Sequence, residues 1–326
     1  MRNCFTLIFI FSVILLFASC NAPHDNPLDP ENPDNALYSI EGTVVTSGAV
    51  SNPINNVQVF WSVDKVYVPT DNNGYFKIGC KELKTGWLYF NKSGYSSDSV
   101  LINWGTQKKV TLQEKLIGIP AIDSISIYSS ILNKYSSPEY QLTFEITITD
   151  QDDNIDSVFV QCPALQIRSS IEKLSSQYFT ESFSDVDLNL TSFAEIIGKN
   201  FDFYAKTGSG KTYYVGSSNV KRIITDEIET IAPKNEDTLA TNYPVLNWKR
   251  FLEGFNFTYK LEIYTDEPEP KLLWDKDNVS SDDITITPET SITPTSGNNK
   301  FYWDIWCIDE YGNRSRSKPA GFVILQ

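Results

Sequence analysis

The feature that most constrains this chain is a two-residue alternation of aromatic or β-branched residues with polar ones. Tyr38-Ser39-Ile40-Glu41-Gly42-Thr43-Val44, Tyr140 to Thr149 and Tyr259-Lys260-Leu261-Glu262-Ile263-Tyr264 all carry it. Side chains along a strand point to opposite faces in turn, so such a stretch buries one face and wets the other. Polar turn clusters separate the stretches: Thr70-Asp71-Asn72-Asn73-Gly74 precedes Tyr75-Phe76, where Asn and Gly tolerate positive φ. With 17 Tyr, 19 Phe, 7 Trp and a single Met, strands are favoured over helices. The expectation is an all-β fold, with one short helical turn from Ser192 to Gly198, where Ser192 and Glu195 form a capping box and Gly198 supplies the stop. A length of 326 residues leaves room for two or three domains.

The first twenty residues stand apart. Arg2 provides a positive start, Phe5 to Phe17 is an almost unbroken apolar run, and Ala18 and Ser19 are small residues just before Cys20. This is the layout of a removable secretory leader, and the run is shorter than the ~20 residues that a spanning helix needs. Its ending resembles the bacterial lipobox, with Phe17 standing where an aliphatic residue is usual. The resemblance implies a signal peptide over 1–19 and lipid attached to Cys20, the membrane contact of the mature chain. Several acyl chains hold a protein far more firmly than one. Asn21 is not the Asp often linked to inner-membrane retention in such lipoproteins, which implies the outer membrane, on either its periplasmic or its surface side. Residues 20–36 then form a tether: NAPHDNPLDPENPDN carries four prolines, several acids and no hydrophobic period, a composition that stays extended.

Charge and residue inventory exclude several classes of function. Once Arg2 leaves with the leader, 26 basic residues face 41 acidic ones, a charge of −15. Nucleic acid requires a basic patch, and anionic lipid likewise repels such a surface. The single histidine, His24, lies in the tether, so neither Ser-His-Asp nor Cys-His chemistry is expected. With Cys4 in the leader and Cys20 lipidated, Cys80, Cys162 and Cys307 remain, one per proposed domain. Flanked by Ile78, Val160 and Ile308, they read as buried apolar residues and not as nucleophiles. Carboxylate-only chemistry stays open, since so many acids allow some pair at a working separation.

Three modules follow the tether. Residues 37–116 hold Tyr38 to Val44, Pro53-Ile54-Asn55-Asn56-Val57-Gln58-Val59, Thr70 to Ile78, Leu88-Tyr89-Phe90 and Lys109 to Leu112. Their order resembles the carboxypeptidase regulatory-like domain, which implies a seven-stranded sandwich of transthyretin-like type and an accessory, non-catalytic role. Trp61, Trp87 and Trp104 offer two readings, a sugar-stacking face or sandwich core. Residues 117–226, with strands expected at Asp123–Tyr128, Tyr140–Thr149, Ser157–Cys162 and Phe201–Lys206, are similar to an immunoglobulin-like sandwich. Residues 227–326 contain Pro244-Val245-Leu246-Asn247-Trp248 and Phe301-Tyr302-Trp303-Asp304-Ile305-Trp306-Cys307-Ile308-Asp309, followed by Glu310-Tyr311-Gly312-Asn313-Arg314-Ser315. They resemble a fibronectin type III-like domain, which implies that Trp248 and Trp303 pack between its sheets. Pro288 to Asn299 reads as a polar connector.

Two short motifs carry chemistry on paper. Ala205-Lys206-Thr207-Gly208-Ser209-Gly210-Lys211-Thr212 fits a relaxed phosphate loop, but such a loop must open a helix. Here Phe201 to Tyr204 precedes it and Tyr213-Tyr214-Val215 follows, so a hairpin and no bound nucleotide are expected. Asp150, Asp152, Asn154 and Asp156 alternate in an acidic loop whose oxygens suit a structural Ca²⁺. Ile155 and Gln161 occupy positions that an EF-hand fills with Gly and Glu, and the competing reading is a solvated turn. No other cofactor is expected. Three functions remain open: a non-catalytic lipoprotein that binds or assembles protein or glycan partners, a carboxylate-based glycan hydrolase, and a passive spacer in an envelope complex.

Overall fold

A computed structural model describes Asn32, residues 37–294 and residues 297–325. The leader, Cys20 and His24 lie outside the described residues. No helix among those described is long and apolar enough to cross a membrane. Strands and turns make up nearly all of the structure, which divides between Ile119 and Pro120 into two compact units. The all-β expectation holds throughout.

The first unit is a two-sheet sandwich of seven strands: β1 (Tyr38–Thr46), β2 (Gln58–Trp61), β3 (Val66–Pro69), β4 (Tyr75–Cys80), β5 (Gly86–Asn91), β6 (Asp98–Ile102) and β7 (Lys109–Leu116). One sheet runs β4-β1-β7, and the other β3-β2-β5-β6. Ile40, Val44, Val59, Trp61, Phe76, Leu88 and Phe90 are buried between them, and Phe76 meets Phe90 edge-on with centroids 5.8 Å apart. Each such side chain contributes roughly 1.5–3 kcal/mol by leaving water. β1 sits between an antiparallel and a parallel neighbour. A Cβ at Gly42 would come within 2.2 Å of the Leu112 carbonyl oxygen, which is why the middle of β1 carries no side chain. The polar turn before β4 closes on Asp71, whose Oδ1 accepts from the N–H groups of Asn73 and Tyr75 at 2.8 Å, while Gly74 takes a φ of +71°.

The second unit begins with β8 (Ala121–Leu132), β9 (Glu139–Thr149), β10 (Ile155–Cys162), β11 (Ile167–Lys173), β12 (Tyr178–Ser184), β13 (Phe201–Thr207) and β14 (Thr212–Ser218). These close on one core, in which Phe144 meets Phe201 and Phe203 at 5.4 and 5.8 Å. A 3-10 turn over Phe193–Ile196 carries the expected capping box, with the Ser192 N–H donating to Glu195 Oε1 at 2.8 Å. Gly198 follows at φ +70°. The segment resembling a phosphate loop is the β13–β14 hairpin, closed by Thr207 N–H to the Lys211 carbonyl at 2.9 Å.

A second core follows within the same unit, built by β15 (Thr230–Ala232), β16 (Asp237–Leu239), β17 (Leu246–Trp248), β18 (Phe257–Thr265), β19 (Leu272–Ser280), β20 (Thr285–Ile286), β21 (Lys300–Asp309), β22 (Arg314–Arg316) and β23 (Ala320–Ile324). Trp248 and Trp303 are buried here as expected. Trp248 packs edge-on against Tyr259 at 5.4 Å. The 288–299 connector is pinned by Ile292, which is buried and whose N–H donates to the Asn242 carbonyl at 2.8 Å.

The two cores of this unit share one sheet, ordered β14-β13-β10-β11-β12-β9-β8-β22-β21-β18-β19. Its seam is β22, which pairs antiparallel with β21 and parallel with β8. The turn that feeds β22 fixes the seam. Asn313 Oδ1 accepts from the backbone N–H of Ser129 at 2.9 Å and from its hydroxyl at 3.1 Å. Asn313 is itself held by Asp309, whose Oδ1 accepts the Asn313 N–H at 2.9 Å and whose Oδ2 accepts from Nδ2 at 3.1 Å. Arg222 braces Asp309 at 3.4 Å, with its guanidinium over the rings of Phe255 and Tyr311. Replacing Asn313 with Ala leaves the buried Ser129 N–H without an acceptor, an expected loss of about 1–3 kcal/mol. Urea unfolding of the variant, followed by tryptophan fluorescence, measures that loss; unchanged stability would show that the seam does not depend on Asn313.

Candidate functional site

In β5, Trp87, Leu88, Tyr89 and Phe90 are consecutive, and the strand buries Leu88 and Phe90 while turning Trp87 and Tyr89 outward. The register aligns the outward residues with their neighbours. Phe60 on β2 lies opposite Tyr67 on β3 and Tyr89 on β5, and Tyr89 lies opposite Ser99 on β6. Phe60 and Tyr67 stack with centroids 4.3 Å apart, and Phe60 and Tyr89 stand 6.1 Å apart. Tyr67 is 65% exposed, Trp87 45% and Tyr89 43%. Two residues along β5 and β6, on the same face, Trp87 lies opposite Leu101. On the other side of the aromatic row, Gln58 lies opposite Pro69 and Asn91.

None of these outward residues is charged. Charge borders the sheet at Asp64 and Lys65 in the β2–β3 turn, at Lys92 after β5 and at Asp98, where β6 begins. On a chain this acidic, an uncharged aromatic face is a distinct surface. It also resolves the tryptophan question. Trp61 and Trp104 are core residues, and the Trp104 indole N–H donates to the Lys84 carbonyl at 2.9 Å. Only Trp87 of the three reaches the outer face, and its companions are Phe60, Tyr67 and Tyr89. Sequence reading missed these three because their adjacency exists only through strand pairing.

The acidic loop closes on itself. Asp150 Oδ2 accepts the Asn154 N–H at 2.9 Å, and its Oδ1 lies 3.4 Å from the Asp152 N–H. Ile155, first residue of β10, is buried, and Asp156 points to solvent. Asp152 is buried while Asp150 and Asn154 are half-buried. Among the described residues no group of three or more His, Cys, Asp or Glu side chains is placed to hold a metal ion.

The three thiols are buried. Burial, with help from Asp64, pushes Cys80 up to about 12. Burial likewise raises Cys162 and Cys307. None is a thiolate at neutral pH.

Carboxylate chemistry needs a protonated acid and an ionised partner flanking an accessible substrate. A cleft of about 530 Å³, lined by Arg168, Ser170, Glu181, Ser182 and Asp187, lies beside β11 and β12. The Ser184 backbone N–H and then its hydroxyl hold Asp187 below its usual value, so it stays ionised and is no acid. Burial, with a neighbouring carboxylate, raises three carboxyls among the described residues: Glu114 beside Asp98, Glu253 beside Asp226 and, most strongly, Asp304, directly opposite Glu262 across β18 and β21. Burial above all raises Asp304 to about 7, with Glu262 adding to the rise and Arg316, 3.4 Å away, opposing it. Burial raises Glu262 too, but the Trp306 indole N–H at 2.8 Å and Lys260 at 3.0 Å outweigh it and bring Glu262 below its usual value. Asp304 is 0% exposed, so no glycosidic oxygen reaches its proton.

No protein-family model matches this chain, and no curated protein does. Solved structures with some likeness include the FN1–FN3 domains of chicken CNTN1, at 8% identity over 83% of this chain and 91% of that one, with a TM-score of 0.31. The fibronectin(III)-like modules of Clostridium thermocellum CbhA share 12% identity over 64% of this chain and 93% of that one, at 0.29. SGBP-B of the Bacteroides ovatus mixed-linkage glucan utilization locus, in complex with a heptasaccharide, shares 12% over 92% of this chain and 69% of that one, at 0.20. At such TM-scores the likenesses carry nothing about residues or ligands.

Asp304 gives a pH prediction. Its folded value lies above its unfolded one, so the folded chain keeps a proton that the unfolded chain releases. Stability is therefore expected to fall as pH rises from about 4 to about 7 and to level off above, by at most roughly 4 kcal/mol for this group. Urea unfolding across that range should show a negative slope that Asp304→Asn flattens; an equal slope in the variant would place the titration elsewhere.

Proposed function

We propose that this chain is a lipid-anchored, extracytoplasmic binding protein of the bacterial envelope, held to the outer membrane through Cys20 and presenting a non-catalytic recognition surface. In this reading residues 37–116, 117–226 and 227–326 are carboxypeptidase regulatory-like, immunoglobulin-like and fibronectin type III-like modules on the 20–36 tether. The observation that carries it is the exposed aromatic row Tyr67-Phe60-Tyr89 with Trp87 beside it. Rings left in water on one face, with the neighbouring side chains buried, are the mark of a surface awaiting a partner. A passive spacer gains nothing from such a face. For a hydrolase, the most strongly raised carboxyl, Asp304, is sealed from solvent. No nucleotide or nucleic acid enters this reading, and calcium is at most a structural ion at Asp150, Asp152, Asn154 and Asp156.

Two experiments test the reading. Cys20→Ala should leave the fold intact and move the protein from the membrane fraction to the soluble extracytoplasmic one. A variant that stays membrane-bound would overturn the anchoring. Capture of envelope components on the immobilised mature chain should yield a saturable partner that is lost with Tyr67→Ala plus Tyr89→Ala; capture unaffected by that pair would remove the face from the function.

A further inference from the structure

We propose that the ligand of the β3-β2-β5-β6 face is a neutral glycan chain, with sugar rings packed on Tyr67, Phe60, Tyr89 and Trp87 and sugar hydroxyls bonded by the amides of Gln58 and Asn91. The inference rests on the binding reading above and deepens it.

Size is the first reason. Adjacent strands lie ~4.8 Å apart and same-face neighbours along a strand ~6.7 Å apart. The aromatic patch from Tyr67 to Tyr89, and from that row to Trp87, therefore spans about 10 by 7 Å before side-chain width is added. A stable protein partner covers about 800 Å² on each side, several times this patch. A few sugar rings fit it.

Chemistry is the second reason. A pyranose presents a face of C–H bonds, ringed by hydroxyls. The C–H face suits an aromatic ring, whose π surface is electron-rich and apolar. The hydroxyls want neutral groups that both donate and accept, and each amide does both. Gln58 and Asn91 sit opposite one another, two residues from Phe60 and Tyr89 along their strands, so the polar groups border the apolar ones. Protein interfaces more often combine aromatic anchors with arginine, and no arginine belongs to this face.

Charge is the third. With 41 acidic residues against 26 basic ones in the mature chain, an acidic polysaccharide is repelled at long range and meets no cation among the outward residues of these strands. A neutral glycan is indifferent to that field.

Affinity electrophoresis of the full mature chain in detergent tests the assignment, using dextran, hydroxyethylcellulose and galactomannan as neutral probes and polygalacturonate as the acidic one. At least one neutral polysaccharide should retard the chain, equally at low and high NaCl. Tyr67→Ala, Trp87→Ala and Tyr89→Ala should each weaken retardation about tenfold without lowering the melting temperature, while Tyr135→Ala, on the second unit, should leave it unchanged. Retardation by polygalacturonate alone, or retardation that survives Tyr67→Ala plus Tyr89→Ala, overturns the glycan assignment. So does the absence of any neutral retardation. If in that case the same double variant still abolishes capture of an envelope protein, the binding reading stands and only the ligand class is wrong. If nothing is captured either, both fall.

Discussion

Four consecutive large apolar residues in β5 set the terms for the first unit, because a strand offers only every second side chain to its core. Leu88 and Phe90 take the inner positions, and their burial stabilises the sandwich by a few kcal/mol. Trp87 and Tyr89 are then forced outward by geometry alone. Once outward, they stand where pairing brings Phe60 and Tyr67 beside them. Core and candidate site are thus two faces of one sheet. A single-residue slip of β5 would exchange them, exposing Leu88 and Phe90 and emptying the platform.

Much of this was legible in the sequence, for a physical reason. β1, β9 and β18 show the alternation expected where one face of a strand meets a core, while β21, with Trp303, Asp304 and Ile305 all buried, is legible through its resemblance to a fibronectin type III-like strand and turn. β3, β6 and β19 are legible in neither way. β3 is four residues long and β6 five, too short for a period to declare itself. β19 carries Asp275, Lys276 and Asp277 in its middle. It is an edge strand, and charge there discourages pairing with another chain while hiding the strand from a hydrophobicity reading.

The tryptophans show the same limit at the level of single residues. Composition establishes that several aromatic residues belong to the first unit and leaves open which of them are wet. Trp61 lies one position after Phe60, and the two point to opposite sides of the sheet; only the register between β2, β3 and β5 decides which joins the platform. The acidic loop and the phosphate-loop look-alike share one local property. In both, backbone groups of the turn are bonded within the turn or to its neighbours.

The Asn313 seam in the second unit has a mechanical meaning. Its bonds join Asn313 to Ser129 across 184 positions of sequence, a far shorter route than the covalent chain takes. Tension entering at one sandwich passes to the other sideways, through paired strands and a buried amide, and the covalent connector between them carries little of it. In this unit the load meets a weld instead of a hinge, so its length under tension is set by the fold.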